Sequence, residues 1–127
     1  MNMKNLVISG MTMLALDGVY LTSMGKTYGN LVKSIQKSPI KMRPLTLLSA
    51  GFCYIFLIGG LNYFILREKR PILDAFLLGV MVYGVFETTS YVMFDNWTIP
   101  IILMDTLWGG ILFASTTYLS RNIVNFL

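Results

Sequence analysis

Four runs of apolar residues follow one another along the chain, at about 5–24, 44–66, 72–94 and 98–119. Each run has close to the roughly 20 residues that an α-helix needs to cross a hydrocarbon core about 30 Å thick. Polar residues concentrate between the runs, where a spanning chain meets water and lipid headgroups. The pattern predicts an all-α, integral membrane four-helix bundle built as a single transmembrane domain, 1–127.

Two of the three connections between the runs are short. The sequence REKR at 67–70 joins the second run to the third and is followed by Pro71, a residue suited to the start of a helix. The sequence DNW at 95–97 joins the third run to the fourth and is long enough for an antiparallel helical hairpin. With four crossings, we expect both termini on the same side of the membrane.

The first connection, 25–43, is longer than a hairpin needs and is two-sided. Its apolar side chains recur at helical spacing, at Tyr28, Leu31, Val32 and Ile35. This pattern predicts a short interfacial amphipathic helix at about 26–38 that lies flat on the membrane surface. The basic residues expected at the lipid surface are Lys26, Lys33, Lys37, Lys41 and Arg43. The alternative is a solvated basic loop interrupted by Pro39.

Composition supports a membrane protein. Hydrophobic residues make up 55% of the chain and charged residues 13%, and the mean hydropathy is +0.66. A soluble domain has about 25% charged residues. The net charge of +4 comes from basic residues beside the apolar runs. Such residues usually set membrane topology or contact anionic lipid, so we do not expect nucleic acid as a partner. The 10 basic residues divide evenly between the two sides, so the positive-inside rule assigns no orientation.

Several kinds of chemistry are excluded by residue counts. A single cysteine, Cys53, cannot form an intrachain disulfide, and the absence of histidine removes most zinc, haem and histidine acid–base chemistry. No nucleophile stands beside an activating base in the pattern. We therefore expect no cofactor and no enzymatic activity.

Three carboxylates fall inside the apolar runs: Asp17, Glu87 and Asp105. When the chain is followed up and down at about 1.5 Å per residue, all three lie roughly 10 to 12 Å below the same membrane face. A carboxylate facing lipid costs a few kcal/mol, so these side chains are expected to point into the bundle. No lysine or arginine lies within the runs, which leaves protonation, a bound cation or hydrogen bonds to stabilise them.

Polar and aromatic residues near these acids complete a predicted polar cluster that could serve as a ligand or proton site. They are Tyr20, Tyr83, Thr89, Ser90 and Trp108. One interpretation is structural, since buried polar groups hold membrane helices in register. Another is a site for a proton, a cation or a polar ligand, because ionisable groups inside a membrane are functional candidates by default. A catalytic carboxylate pair is a third, and whether a metal binds stays open.

Three motifs at these positions carry a family resemblance. They are LALDGVYL at 14–21, YGVFETTS at 83–90 followed by Trp97, and MDTLWGG at 104–110. In them the chain resembles the small membrane proteins catalogued as domain of unknown function 2177, found in bacteria and in large DNA viruses. The chain departs from the family pattern with Tyr20 in place of tryptophan, Glu87 in place of aspartate and Ser90 in place of asparagine. The resemblance implies a compact four-helix membrane protein that a virus could encode, and no particular activity.

Two functions follow as expectations. The first is a structural or assembly component of a larger membrane complex or virion membrane, with the lipid bilayer and other membrane or capsid-like proteins as partners, or a second copy of the chain. The second is a small proton- or cation-binding transporter or channel that uses Asp17, Glu87 and Asp105. We expect a multi-pass location in a membrane, for which a virion inner membrane is one candidate.

Overall fold

A computed structural model describes residues 2–37 and 44–127. Its elements are four helices: α1 (Met3–Gln36), α2 (Pro44–Leu61, continued by a π-helical turn over Asn62–Leu66), α3 (Ile72–Met93) and α4 (Ile99–Phe126). All four are long and apolar enough to cross a membrane. The all-α four-span architecture predicted from the apolar runs is confirmed. Helix α4 continues past the predicted end at 119 as far as Phe126.

Local sequence accounts for where the helices begin. The side chain of Asn2 accepts a hydrogen bond of 2.8 Å from the backbone N–H of Lys4, which satisfies one of the free amides at the start of α1. Pro71 stands immediately before α3, and Pro100 occupies the first turn of α4. Proline is favoured there because its missing N–H would have no partner in the helix.

The predicted interfacial helix is not a separate element. Helix α1 runs without a break from Met3 to Gln36, and its 34 residues span about 51 Å, well beyond a hydrocarbon core of about 30 Å. Gly25 and Gly29 stay helical, and no proline interrupts α1. The segment predicted to lie on the membrane surface is therefore the C-terminal extension of α1, residues 25–36. It ends at Lys37, whose left-handed backbone caps the helix.

The two-sided pattern of this extension is retained, but its apolar side faces protein. Its apolar positions, Tyr28, Leu31, Val32 and Ile35, are half-buried, whereas Lys26, Lys33 and Lys37 are exposed. Asn96, in the turn between α3 and α4, donates to the backbone oxygen of Ser34 at 3.3 Å. The extension thus packs on the bundle and presents a basic outer face. Lys41 and Arg43, also predicted at the lipid surface, lie outside the described residues.

Helices α3 and α4 approach each other closely because small residues meet at their contact. A Cβ atom added to Gly79 would lie 2.1 Å from the carbonyl oxygen of Gly109. A Cβ atom added to Gly109 would lie 2.3 Å from the ring of Tyr83. Gly60 has open space around it, so its lack of a side chain serves no contact here. Close packing of small residues is the usual source of helix association in lipid.

The interior contains an apolar layer, and the exterior is apolar as well. The buried layer comprises Met13, Leu61, Ile65, Leu66, Ala75, Leu112 and Phe113. Large hydrophobic side chains are also exposed on all four helices, including Leu45, Phe56 and Val92. A water-soluble protein would not expose such a surface, and a bilayer would solvate it.

Candidate functional site

The three acids predicted to face inward are all buried. Asp17 of α1, Glu87 of α3 and Asp105 of α4 have relative exposures of 6%, 0% and 7%. Tyr83 of α3 lies within electrostatic range of both aspartates. We call these three acids the carboxylate cluster. Each of them has specific hydrogen-bond donors, and most of these donors belong to other helices.

Asp17 joins three helices. Its Oδ1 accepts from the indole N–H of Trp108 on α4 at 3.1 Å, and its Oδ2 accepts from the hydroxyl of Tyr54 on α2. Trp108 was predicted as a member of the site, and the structure pairs it with an acid 91 residues away rather than with its neighbour Asp105. Tyr54 was missed. No sequence signal distinguishes it from Tyr63, which lies in the same acid-free span.

Asp105 accepts a hydrogen bond from a tyrosine of α1. The hydroxyl of Tyr20 donates to its Oδ1 at 3.2 Å. Because this uses the single O–H of Tyr20, the hydroxyl of Tyr28 donates to that of Tyr20 at 2.9 Å. The ring of Tyr20 stacks on Trp108 with centroids 4.5 Å apart and planes only 8° from parallel. Because α1 is continuous, Tyr28 reaches the cluster. Sequence analysis had placed this residue on a separate surface helix and missed its role here.

Glu87 receives its hydrogen bond from the turn that follows α3. The indole N–H of Trp97 donates to Oε2 at 2.6 Å. Trp97 is buried, with edge-on contacts to Phe86, although tryptophan near a span end is typical of an exposed interfacial anchor. The turn at 94–98 folds the indole back over the end of the bundle. This indole N–H satisfies one of the two carboxyl oxygens of Glu87.

The second oxygen of Glu87 is the least satisfied atom of the cluster. Oε1 is buried and accepts from no N–H or alcohol group in residues 2–37 and 44–127. The carboxyl group of Asp105 is a neighbour of Glu87.

The remaining predicted members contribute differently. Tyr83 fills the space above Gly109 with its ring. Ser90 is buried, but its hydroxyl donates to the backbone oxygen of Phe86 at 2.8 Å and so is not available to the acids. Thr89 is exposed, since two residues after Glu87 correspond to about 200° of helical rotation. Neither Thr89 nor Ser90 bonds an acid within the described part of the chain.

The donor set does not resemble a metal centre. Within residues 2–37 and 44–127, no group of three histidine, cysteine, aspartate or glutamate side chains has the arrangement to hold a metal ion. The cluster instead pairs carboxyl oxygens with aromatic N–H and O–H groups. Such an arrangement can fix helices relative to one another, and it can also hold a proton on a carboxyl group.

The residues of the cluster fall within a family match that covers almost the whole chain. The family described as "Predicted membrane protein (DUF2177)" matches residues 2–121. The chain belongs to this family. No curated protein and no solved structure matches the chain. Together with four apolar helices of spanning length, membership in DUF2177 makes this chain a multi-pass membrane protein.

Proposed function

We propose that the protein is a structural or assembly component of a larger membrane complex, with the carboxylate cluster ordering its bundle. The observation that carries this proposal is the direction of the hydrogen bonds. Asp17 ties α1 to α2 and α4, Asp105 ties α4 to α1, and Glu87 ties α3 to the turn before α4. Inside lipid the hydrophobic effect does not pull helices together, so directional bonds of this kind decide how they pack.

The outer surface of α2 supports a role within an assembly. Leu61 is the one buried residue of Pro44–Leu61, and large side chains such as Leu45 and Phe56 face outward. Apart from the side that carries Tyr54, Leu57 and Ile58, this helix presents its surface to lipid or to another protein. The partners we propose are the bilayer, other membrane or capsid-like proteins, or a second copy. A virion membrane as the location rests on the family resemblance alone.

The basic face of the α1 extension is suited to an acidic neighbour. Lys26, Lys33 and Lys37 are exposed and form no ion pairs with the described residues. Clustered lysines next to a membrane attract anionic headgroups by about 1 kcal/mol each. We propose that this face contacts anionic lipid or an acidic protein layer.

A second candidate function is a site for a proton or a cation in a small transporter or channel. Oε1 of Glu87 favours it, because a buried carboxyl oxygen without a donor beside a second carboxyl group is a place where a proton can reside. Against transport, the apolar layer that contains Met13, Leu112 and Phe113 closes the interior of the bundle. The same cluster can therefore serve as structural support or as a proton site.

Amide substitutions separate the two functions, because an amide keeps the shape and the hydrogen bonds of an acid and removes its titratable proton. The full chain in nanodiscs would be titrated across neutral pH by calorimetry, and wild type compared with Glu87→Gln and with the triple variant Asp17→Asn, Glu87→Gln, Asp105→Asn. Glu68→Gln is the matched control, since Glu68 is exposed and pairs only with Arg67. If the cluster is structural, the variants should fold and should take up as many protons as wild type does. Loss of proton or cation binding in a folded Glu87→Gln variant would establish the second candidate instead.

A further inference from the structure

Two adjoining cavities open at the end of the bundle that carries the chain termini. They have volumes of about 360 and 220 Å³ and share Asn2, Asn5, Leu66 and Lys69 in their walls. The start of α1, the turn between α2 and α3, and the end of α4 surround them. We call the pair the terminal cleft. It lies at the opposite end of the bundle from the predicted basic surface.

The terminal cleft is electropositive. Lys69 lies between the two cavities, Arg121 lines the larger one and Arg67 the smaller one. No acidic residue belongs to either wall. Arg67 pairs with the exposed Glu68, whereas Lys69 has no ion-pair partner within residues 2–37 and 44–127. The guanidinium of Arg121 donates to the backbone oxygen of Arg70, which anchors it at the rim.

The cleft also contains unsatisfied polar atoms. Ser120 in the larger cavity and Asn62 in the smaller one are both 1% exposed. Oγ of Ser120 and Oδ1 of Asn62 have no hydrogen-bond partner within the described residues. A buried polar group without a partner is costly, so a ligand that supplied an anionic oxygen and a hydroxyl group would complete both. Nδ2 of Asn62 is already committed, to Ser9 and to the carbonyl of Ile58.

The position of Lys69 in the cleft is set by the end of the helix that α2 and its π-helical turn form. Lys69 has φ of 53°, in the left-handed region that glycine adopts at lower cost. This residue follows the π-helical turn Asn62–Leu66, which ends with a hydrogen bond of 2.8 Å from the N–H of Arg67 to the oxygen of Asn62. π-helical turns occur frequently at functional sites. The N–H of Arg70 bonds the oxygen of Ile65 at 2.9 Å, so the left-handed residue closes the end of this helix as Lys37 closes α1.

We propose that the terminal cleft binds the phosphate of an anionic lipid headgroup. The three cations attract the phosphate, the hydroxyl of Ser120 donates to a phosphate oxygen, and Oδ1 of Asn62 accepts from a headgroup hydroxyl. The position at the ends of three spans is the depth at which headgroups lie, and basic pockets between membrane helices on one side of a bilayer bind such groups. This site is separate from the carboxylate cluster and does not depend on the function proposed for it.

The test is native mass spectrometry of the detergent-solubilised full chain, titrated in separate arms with phosphatidylglycerol, phosphatidylcholine and inorganic phosphate. We expect phosphatidylglycerol to bind about tenfold more tightly than phosphatidylcholine, and Lys69→Gln to abolish this preference, since one charge-assisted hydrogen bond is worth about a factor of ten or more. Lys4→Gln is the matched control, because Lys4 is exposed on the same side and lines neither cavity. Lys69→Gly must give the same loss as Lys69→Gln while favouring the left-handed backbone, which separates binding from folding.

Three results would overturn the proposal. One is equal binding of the two lipids by wild type. Another is an unchanged preference in both Lys69 variants. The third is binding of inorganic phosphate without any preference for phosphatidylglycerol, which would assign the cleft to a free anion.

Discussion

Removal of the Asp17 carboxyl group should weaken the bundle by an amount that follows from its two interhelical hydrogen bonds. In Asp17→Ala, the indole of Trp108 and the hydroxyl of Tyr54 both lose their acceptor. Hydrogen bonds between membrane helices are worth about 0.6 kcal/mol on average and about 1.7 kcal/mol at most. Two such bonds predict a loss of about 1 to 3 kcal/mol in the free energy of unfolding.

Asp17→Asn should be far milder, for a reason specific to the two donors. An indole N–H can only donate, so it keeps the amide oxygen as its acceptor, whereas a tyrosine hydroxyl can turn and accept from the amide NH₂ group. Asparagine therefore satisfies Trp108 and Tyr54 together. We expect Asp17→Asn to retain most of the stability that Asp17→Ala loses. If the interaction depended on the negative charge, both variants would lose it.

A double-mutant cycle with Trp108→Phe measures one bond directly. The assay is reversible unfolding of the detergent-solubilised chain by a denaturing detergent, followed by the loss of helical circular dichroism. Phenylalanine keeps a ring to stack on Tyr20 but removes the indole N–H, so we expect a coupling energy of about 0.6 to 1.7 kcal/mol with Asp17→Ala. Asp95→Ala, at an exposed acid, should leave stability unchanged. Additive effects, or an Asp17→Asn variant as unstable as Asp17→Ala, would refute the reasoning.

Three further predictions concern packing, exposure and protons. Gly79→Ala should prevent the close approach of α3 to α4 and lower the free energy of unfolding. Gly60→Ala, in open space, should leave the free energy of unfolding unchanged or raise it by up to about 1 kcal/mol. Cys53 is exposed on α2, so in liposomes a hydrophilic maleimide should not label it until the chain is unfolded; rapid labelling would place α2 against water. Glu87→Gln should leave the fold intact, as judged by gel filtration with Glu68→Gln as the reference. Misfolding of Glu87→Gln alone would show that the fold requires an ionised Glu87.

Much of the carboxylate cluster could be predicted from sequence, and the reason is geometric. The expectation that Asp17, Glu87 and Asp105 share one depth rests on the constant rise of a helix per residue, counted from the predicted span ends. The cost of a carboxylate in lipid then decides that they face inward. The structure buries all three and brings Asp105 beside Glu87.

The partners of these acids could not be predicted in the same way. Which donor meets which acid depends on how each helix is rotated and how closely it approaches its neighbour. Trp108 therefore pairs with Asp17 across 91 residues of sequence, and Trp97 reaches Glu87 only because the turn between α3 and α4 folds inward. Tyr54 has no local signal that distinguishes it from an ordinary residue of an apolar span.

The sequence by itself determined the class of the protein and the number of its spans, because hydrophobic length and helical rise act locally along the chain. Only the tertiary structure decided that the segment after 24 continues α1, because Tyr28 and its apolar neighbours pack against the bundle instead of against lipid. The terminal cleft also comes from tertiary structure alone. Its walls are contributed by residues near 2, 69 and 121, which only the packing of separate helices brings together.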